Sequence, residues 1–152
     1  MDTTADKTET SSAELTQVAL NIPGETTLPG WKISIGIFQR SQYLHDLCKE
    51  GAQDPFTAYL DSTVIGKQLF VRSRKTGDKF QPLGMKLTKT LQNFMVDIKI
   101  PVAQRSQVPI LCSLQQIYWI VGYRIDERAK ITSDTKEVLR IKFSRLYGTH
   151  RD

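Results

Sequence analysis

The sequence contains few of the residue types on which metal centres and covalent catalysis depend. Its 152 residues include two cysteines and two histidines. Cys48 and Cys112 lack the short spacing of a metal site or redox pair, and so low a cysteine count is typical of a reducing compartment. His45 and His150 stand apart from any candidate ligand or nucleophile, which favours a solvated or packing role. We therefore expect no metal site and no catalytic residue in this chain.

Motifs that bind nucleotides or cross membranes are also missing. The sequence has neither a Gly-x-x-x-x-Gly-Lys-Ser/Thr loop nor a Gly-x-Gly-x-x-Gly fingerprint. Its longest apolar run, residues 117–121, is far shorter than the roughly 20 residues of a membrane-spanning helix. The adjacent carboxylates Asp126 and Glu127 would point to opposite faces of a strand and would not form an acid–base pair. These absences predict a soluble, cytoplasmic protein without a self-contained active site or a bound cofactor.

Positive charge, by contrast, is abundant and unevenly distributed. The formal net charge is +5. Residues 1–64 contain four Lys or Arg against nine Asp or Glu, whereas residues 65–146 contain sixteen against six. Six of those sixteen basic residues lie between Arg72 and Lys89. A charge excess of this kind indicates a polyanionic partner.

The chain divides into a polar lead, one domain and a short tail. Residues 1–17 are polar and contain few large apolar side chains, so we expect a flexible lead or linker. A single folded domain is predicted over residues 18–147, followed by a tail at 148–152. Residues 39–56 are ambiguous, because Tyr43, Leu44 and Leu47 have helical spacing while Gly51 and Pro55 end the stretch.

The predicted secondary structure is mostly short strands. Residues 31–37 alternate apolar with small or polar side chains, which is typical of a strand with one buried face. Further strands are predicted at residues 57–60, 69–72, 110–112, 117–121 and 139–143. Asp61 and Ser62 are a plausible cap for a short helical turn after the first of these.

The clearest helix follows residue 88. Leu91, Phe94, Met95 and Ile98 form one apolar stripe, with Thr88 as the expected N-cap. Pro101 ends this helix and begins a short second one that runs through Arg105. The chain is therefore expected to be an α+β domain: a small mixed β-sandwich or sheet with one main helix and a short second helix.

Basic residues gather where these elements meet. Alternation places Arg72 and Arg74 on one face of a strand end, Lys75 and Lys79 flank a Gly-Asp turn, and Lys86 and Lys89 precede the helix. Together with free N–H groups at the helix start they predict a phosphate-binding surface, with an ordinary solvated face as an equally weighted alternative.

Four other side chains have specific expected roles or partners. Asp78 follows a glycine and is expected to form the turn, or to orient Arg72 or Arg74. Asp97 lies in the last helical turn, where an anion is disfavoured, so a pairing with Arg105 or Lys99 is expected. One of Tyr118 and Trp119 should be core, and the other could be exposed for stacking on a ribose or base.

Two motifs resemble a known family. Residues 72–85 contain the pattern Arg-x-x-Gly-Asp-x-Phe-x-Pro-x-Gly, and residues 97–101 read Asp-x-Lys-Ile-Pro. With the flanking Leu-Pro-Gly-Trp at 28–31 and Trp-Ile-Val-Gly-Tyr-Arg at 119–124, they resemble the C-terminal domain of tRNA(Ile)-lysidine synthases, enzymes of the PP-loop family. The resemblance covers residues 18–143. Its structural motif residues are Gly77, Asp78, Pro82, Gly84, Asp97 and Pro101.

The resemblance implies a role in handling tRNA. Members of this family use ATP to attach lysine to the wobble cytidine of tRNA(Ile), and their N-terminal catalytic domain carries a Ser-Gly-Gly-x-Asp-Ser loop. This chain has no such loop, so ATP and Mg²⁺ are expected only with a catalytic domain that this sequence does not include. The family's C-terminal domain grips the acceptor arm, and its fold resembles a domain of the phenylalanyl-tRNA synthetase β chain.

The sequence departs from the family pattern at a few positions that affect its charge. Leu87, Thr90 and Val102 stand where members often have glycine or a basic residue, which thins the positive surface. The residues predicted to contact RNA are Arg72, Arg74, Lys75, Lys79, Lys86, Lys89, Lys99, Arg105 and Arg124. Expected partners are tRNA(Ile) and the catalytic domain; the alternative is a docking or homodimerisation module that does not contact RNA.

Overall fold

A computed structural model describes residues 15–42 and 54–146. Eleven strands are described, in chain order: β1 (Val18–Ala19), β2 (Gly24–Leu28), β3 (Trp31–Gln39), β4 (Thr57–Asp61), β5 (Phe70–Arg72), β6 (Lys79–Phe80), β7 (Lys89–Thr90), β8 (Ile110–Cys112), β9 (Ile117–Ile120), β10 (Arg124–Ile125) and β11 (Glu137–Arg145). Three short helices follow among them, α1 (Ser62–Ile65), α2 (Leu91–Asp97) and α3 (Val102–Arg105), with a 3-10 turn at Glu127–Ala129. Residues 40–42 are also helical.

A four-stranded sheet of order β2-β3-β11-β4 forms one layer of the fold. The two nine-residue strands β3 and β11 pair antiparallel along their whole length, from Trp31 opposite Arg145 to Gln39 opposite Glu137. Ile33, Ile35 and Ile141 are buried on one face, as the two-residue alternation of the sequence predicts. This sheet therefore has one apolar face that another layer must cover.

The covering layer is a five-stranded sheet of order β1-β5-β8-β9-β10. Leu111 and Trp119 from its middle strands lie in the same apolar cluster as Ile33 and Ile141 of the first sheet. Phe143 joins the two layers, because its ring lies 5.5 Å from that of Trp31 and 5.5 Å from that of Trp119. The first core of the domain lies between these two sheets.

A second core lies on the other face of the five-stranded sheet. Ile110 and Ile120 point away from the first cluster and pack with Leu91, Phe94 and Met95 of α2. The short β6–β7 hairpin adds Phe80, whose ring meets that of Phe94 edge to face at 5.0 Å between centroids. The helix thus packs on the middle strands of the sheet through the stripe that the sequence predicts.

The predicted α+β class is confirmed: the described residues form mostly antiparallel sheets with few helices. The predicted strands and the short turn at Ser62 are present, and Asp61 caps that turn by accepting a hydrogen bond from the Thr63 N–H. The ambiguous residues Tyr43, Leu44 and Leu47, together with Cys48 and His45, lie outside the described residues. So do His150, the tail at 148–152 and most of the predicted lead.

The N-cap prediction for the main helix was wrong. Lys89 and Thr90 stay extended because they pair with Phe80 and Lys79 of β6, so the helix begins later than expected. Thr90, not Thr88, is the cap, and its hydroxyl oxygen accepts a hydrogen bond from the Asn93 N–H at 3.1 Å. Pro101 takes the N-cap position of α3.

Across the described ranges, no helix is both long enough and apolar enough to pass through a bilayer.

Candidate nucleic-acid interface

The turn at residues 75–78 is organised by the carboxylate of Asp78. Both oxygens of Asp78 accept hydrogen bonds from the Arg72 guanidinium, at 2.9 and 3.1 Å, and one also accepts from the Lys75 N–H at 2.7 Å. The Arg72 and Asp78 side chains are each 11% exposed. Burial alone would lower the pKa of Arg72, but the hydrogen bonds to Asp78 help to raise it, so the Arg72 guanidinium stays charged. Asp78 therefore fills both of its predicted roles, turn former and partner of Arg72.

The same turn is attached to the start of α2. The carbonyl oxygen of Asp78 accepts a hydrogen bond from the Leu91 N–H at 2.8 Å. Since Thr90 caps the Asn93 N–H, two of the first three helical amides already have partners. The seven-residue helix consequently offers few free amides, and the basic side chains around the turn carry the predicted surface.

The glycine positions of the motif shape its loops. Gly77 has φ +88° and Gly84 has φ +87°, a left-handed conformation that side-chain-bearing residues rarely adopt. Pro82 is buried and forms an isolated bridge with Asp126. These residues therefore set the path of the loop that connects the turn to α2.

The predicted partner of Asp97 was wrong. Asp97 forms an ion pair with Lys89, not with Arg105 or Lys99. Arg105 is used elsewhere, because its Nε donates to the Ile100 carbonyl at 2.8 Å. Lys99 lies just past the helix end at φ +64°, in the left-handed region. Lys89, two residues before the helix, therefore neutralises the Asp97 carboxylate at the helix end.

The nine predicted RNA contacts fall into two groups. Four are held by the fold: Arg72 by Asp78, Lys89 by Asp97, Arg105 by the Ile100 carbonyl, and Arg124 over the Phe94 ring at 5.5 Å from its centroid. The other five have no acidic partner within residues 15–42 and 54–146: Arg74, Lys75, Lys79, Lys86 and Lys99. Arg74 is half-buried, and the four lysines of this second group are exposed.

Two grooves flank the turn and share Gly77 and Asp78. The first, called here the helix groove, is lined by Arg74 and Lys75 on one side and by Gln92 and Asn93 on the other. The second, the hairpin groove, is lined by Arg72 and Lys79, by the β8–β9 loop at residues 113–116, and by Arg128. Because the grooves adjoin, a chain of phosphates crossing the turn could contact both.

Asp126 is a structural residue that sequence reasoning missed. Its side chain is 0% exposed and accepts from the Gln81 N–H at 2.9 Å, the Arg128 N–H at 2.8 Å and the Arg128 guanidinium. The hydrogen bonds between the Asp126 carboxylate and the Arg128 guanidinium raise the pKa of Arg128. The sequence signal was present, because an Asp before a short polar helix is a common cap.

Neither of the two aromatic residues considered for base stacking is exposed, and the described residues contain no metal-binding cluster. Tyr118 and Trp119 are both buried in the apolar cluster between the two sheets, at a register shift in the β8–β9 pairing where Leu111 lies opposite Trp119 and Cys112 opposite Ile117. Neither side chain is available to stack on a base. Among the residues that the structure describes, no three His, Cys, Asp or Glu side chains lie close enough together to hold a metal ion.

Comparison with solved structures defines the class of domain. A solved chain titled "Crystal structure of TILS C-terminal domain" superposes with a TM-score of 0.68 over 88% of this chain and 100% of the other, at 18% sequence identity. At that identity the match shows a shared fold.

Comparison of sequences then gives the family. The family described as "TilS substrate C-terminal domain" matches residues 69–143. The tRNA(Ile)-lysidine synthase of Dehalococcoides mccartyi is 45% identical over 129 residues, which is 85% of this chain and 26% of the relative. That of Caldanaerobacter subterraneus is 36% identical over 128 residues, covering 83% and 26%. The chain belongs to the TilS C-terminal domain family, and it spans about a quarter of the length of these curated relatives.

Proposed function

We propose that this chain is a tRNA-binding domain of a tRNA(Ile)-lysidine synthase and that it grips the acceptor arm. The relatives that share its sequence are named for tRNA(Ile). The observation that carries the proposal is the group of unpartnered basic side chains beside the two grooves. Arg74, Lys75 and Lys79 surround a turn whose own carboxylate is already neutralised by Arg72.

The chemistry of these groups suits an RNA backbone. Lys and Arg contacts to phosphate fix the orientation of a nucleic acid without reading its sequence. Arg72, Lys89, Arg105 and Arg124 would contribute by shaping the turn and by adding positive potential. The domain would thus position tRNA(Ile) while a separate N-terminal catalytic domain, with ATP and Mg²⁺, attaches lysine to the wobble cytidine in the cytoplasm.

The test is the salt dependence of binding to an RNA minihelix that copies an acceptor arm. If all five unpartnered cations neutralise phosphates, log K should fall with log salt with a slope of about −4.5, since each contact on a duplex contributes about −0.9. Changing Arg74, Lys75 and Lys79 together to Glu should abolish measurable binding at about 150 mM salt, which is close to physiological ionic strength. Fluorescence anisotropy with a labelled minihelix measures both quantities.

The matched control reverses three lysines at the other sheet. Lys67, Lys136 and Lys142 are exposed and lie on or next to the four-stranded sheet and α1. Their replacement by Glu makes the same change in net charge, so a similar loss of binding would show that only overall charge matters. A flat salt dependence, or unchanged binding after reversal of the turn residues, would contradict the proposal.

A second candidate function rests on exposed apolar side chains. Leu87 is 77% exposed, Val102 is 70% exposed and Leu114 is 65% exposed, which is high for residues of this type. Such positions suit a docking module that contacts another domain of the enzyme or a second copy of the chain. A pull-down with the catalytic domain of a relative, in the absence of RNA, separates the candidates: capture lost in Leu87→Ser supports docking.

A further inference from the structure

The hairpin groove contains an amide whose hydrogen-bonding capacity is unused. The Nε2 of Gln116 is buried and has no hydrogen-bond partner in the part of the chain that the structure describes. Buried donors are almost always paired, and leaving one unpaired costs free energy. The backbone around it is well ordered by hydrogen bonds, because Ser113 Oγ accepts from the Gln115 and Gln116 N–H groups at 3.1 and 3.0 Å. The unpaired amide is thus a property of this side chain and not of a disordered loop.

Three of the four charged side chains that line the groove around Gln116 are cations: Arg72, Lys79 and Arg128. Lys79 lines it and has no acidic partner among residues 15–42 and 54–146. Arg128 is held on Asp126 through its Nε and one terminal nitrogen, and its side chain is 45% exposed. The carboxylate that lines the groove, Asp78, is already bonded to Arg72 and to the Lys75 N–H. A ligand that matches this lining must supply acceptors and negative charge, as a phosphate does.

The shape of the groove favours a nucleotide without a pairing partner. Its volume is about 390 Å³, within the range of pockets that enclose small ligands. In a duplex the bases are stacked and paired, so only an unpaired nucleotide can insert its base and ribose into a concave site. The adjoining helix groove, with Arg74 and Lys75, is available to the phosphates of the paired region.

We propose that the hairpin groove binds one unpaired nucleotide of the RNA, with its phosphate on Lys79 and Arg128. An oxygen of its base or ribose accepts a hydrogen bond from the Gln116 amide. Turning that amide toward the groove breaks no hydrogen bond at Nε2, so the ligand gains a donor at little cost. The assignment rests on the proposed RNA-binding function and adds to it a preference for the junction of paired and unpaired RNA.

The experiment compares RNA hairpins that share one stem. One is blunt-ended, and two others carry four unpaired nucleotides at the 3′ or the 5′ end. With the full chain, we expect one extended hairpin to bind about five- to tenfold more tightly than the blunt one, as a single added neutral hydrogen bond would give. Gln116→Met removes the donor, adds no charge and should abolish this preference, so that the three hairpins bind with similar affinity. Gln107→Met, at an exposed position outside both grooves, should retain it.

The possible outcomes separate this inference from the proposed function. Equal binding of all three hairpins by the unaltered chain overturns the nucleotide site and leaves RNA binding intact. Absence of binding to every hairpin overturns the function itself. Gln116→Met should also unfold at an unchanged or higher urea concentration, since it removes an unsatisfied donor. A clearly lower midpoint would show that the amide is already hydrogen-bonded in the free protein, and this too would overturn the site.

Discussion

Asp78 connects three parts of the chain through its carboxylate and its backbone carbonyl. It neutralises Arg72 at the end of β5, fixes the Lys75 N–H and, through its own carbonyl, receives the first amide of α2. Without Asp78, Arg72 would remain a largely buried cation with one fewer partner. The basic turn would also lose the hydrogen bond that fixes the Lys75 N–H.

Asp78→Asn should therefore lower the free energy of unfolding by about 2–3 kcal/mol, since it removes charge-assisted hydrogen bonds and leaves a buried guanidinium under-neutralised. Urea denaturation followed by tryptophan fluorescence measures the change. Asp97→Asn is the matched control, because it removes a carboxylate that is 53% exposed and should cost at most about 1 kcal/mol. Equal losses for the two variants would contradict the structural role of Asp78.

At the scale of elements, the start of α2 depends on the hairpin that precedes it. Lys79 and Thr90 are paired across β6 and β7, so the chain stays extended up to the residue before Leu91. The cap therefore falls on Thr90, and Thr88 is an exposed loop residue. A local pattern of apolar residues identified the helix but could not place its first residue.

Thr90→Ala should lower stability by about 1 kcal/mol, the usual loss when a capping hydroxyl is removed. Thr88→Ala removes the same atoms two residues earlier and should change stability by less than about 0.5 kcal/mol. Thermal unfolding followed by circular dichroism distinguishes them. A larger loss for Thr88→Ala would mean that the helix begins where the sequence pattern places it.

The parts of the structure that sequence reasoning predicted are those with a local cause. Alternation in residues 31–37 and the stripe Leu91, Phe94 and Met95 depend on burial of one face, and both are present. The partner of Asp97 depends on a lysine brought back by the β6–β7 hairpin, a contact that spacing along the chain does not reveal. Tyr118 and Trp119 are both buried in one apolar cluster at a register shift between β8 and β9, which simple alternation along the sequence does not reveal.

The same limit applies to the candidate site. Charge counting located the basic region, and the motif located the turn, but neither could separate Arg72 from Arg74. The structure separates them through one carboxylate, which binds Arg72 and leaves Arg74 without an acidic partner among the described residues. Gln116 had no sequence signal, because an unsatisfied amide becomes visible only when its surroundings are known.

At the scale of the whole molecule, the two sheets share one core. Trp31 belongs to the four-stranded sheet and Trp119 to the five-stranded sheet, and they are the two tryptophans of the chain. Phe143 contacts both rings edge to face. A side chain that bridges the layers in this way should make them unfold together, since neither apolar face is covered without the other.

Single-tryptophan variants test this coupling. Trp119→Phe leaves a reporter in the four-stranded sheet, and Trp31→Phe leaves one in the five-stranded sheet. In each background the urea midpoint from fluorescence should coincide with that from far-ultraviolet circular dichroism. Adding Phe143→Leu should lower the free energy of unfolding by about 1–3 kcal/mol in both backgrounds, because the lost ring contacts belong to the shared core. Lys142→Ala, at the neighbouring exposed position, should change it by less than about 0.5 kcal/mol. If Phe143→Leu shifts one reporter and not the other, the sheets unfold independently, and binding to the turn can then be lost without loss of the four-stranded sheet.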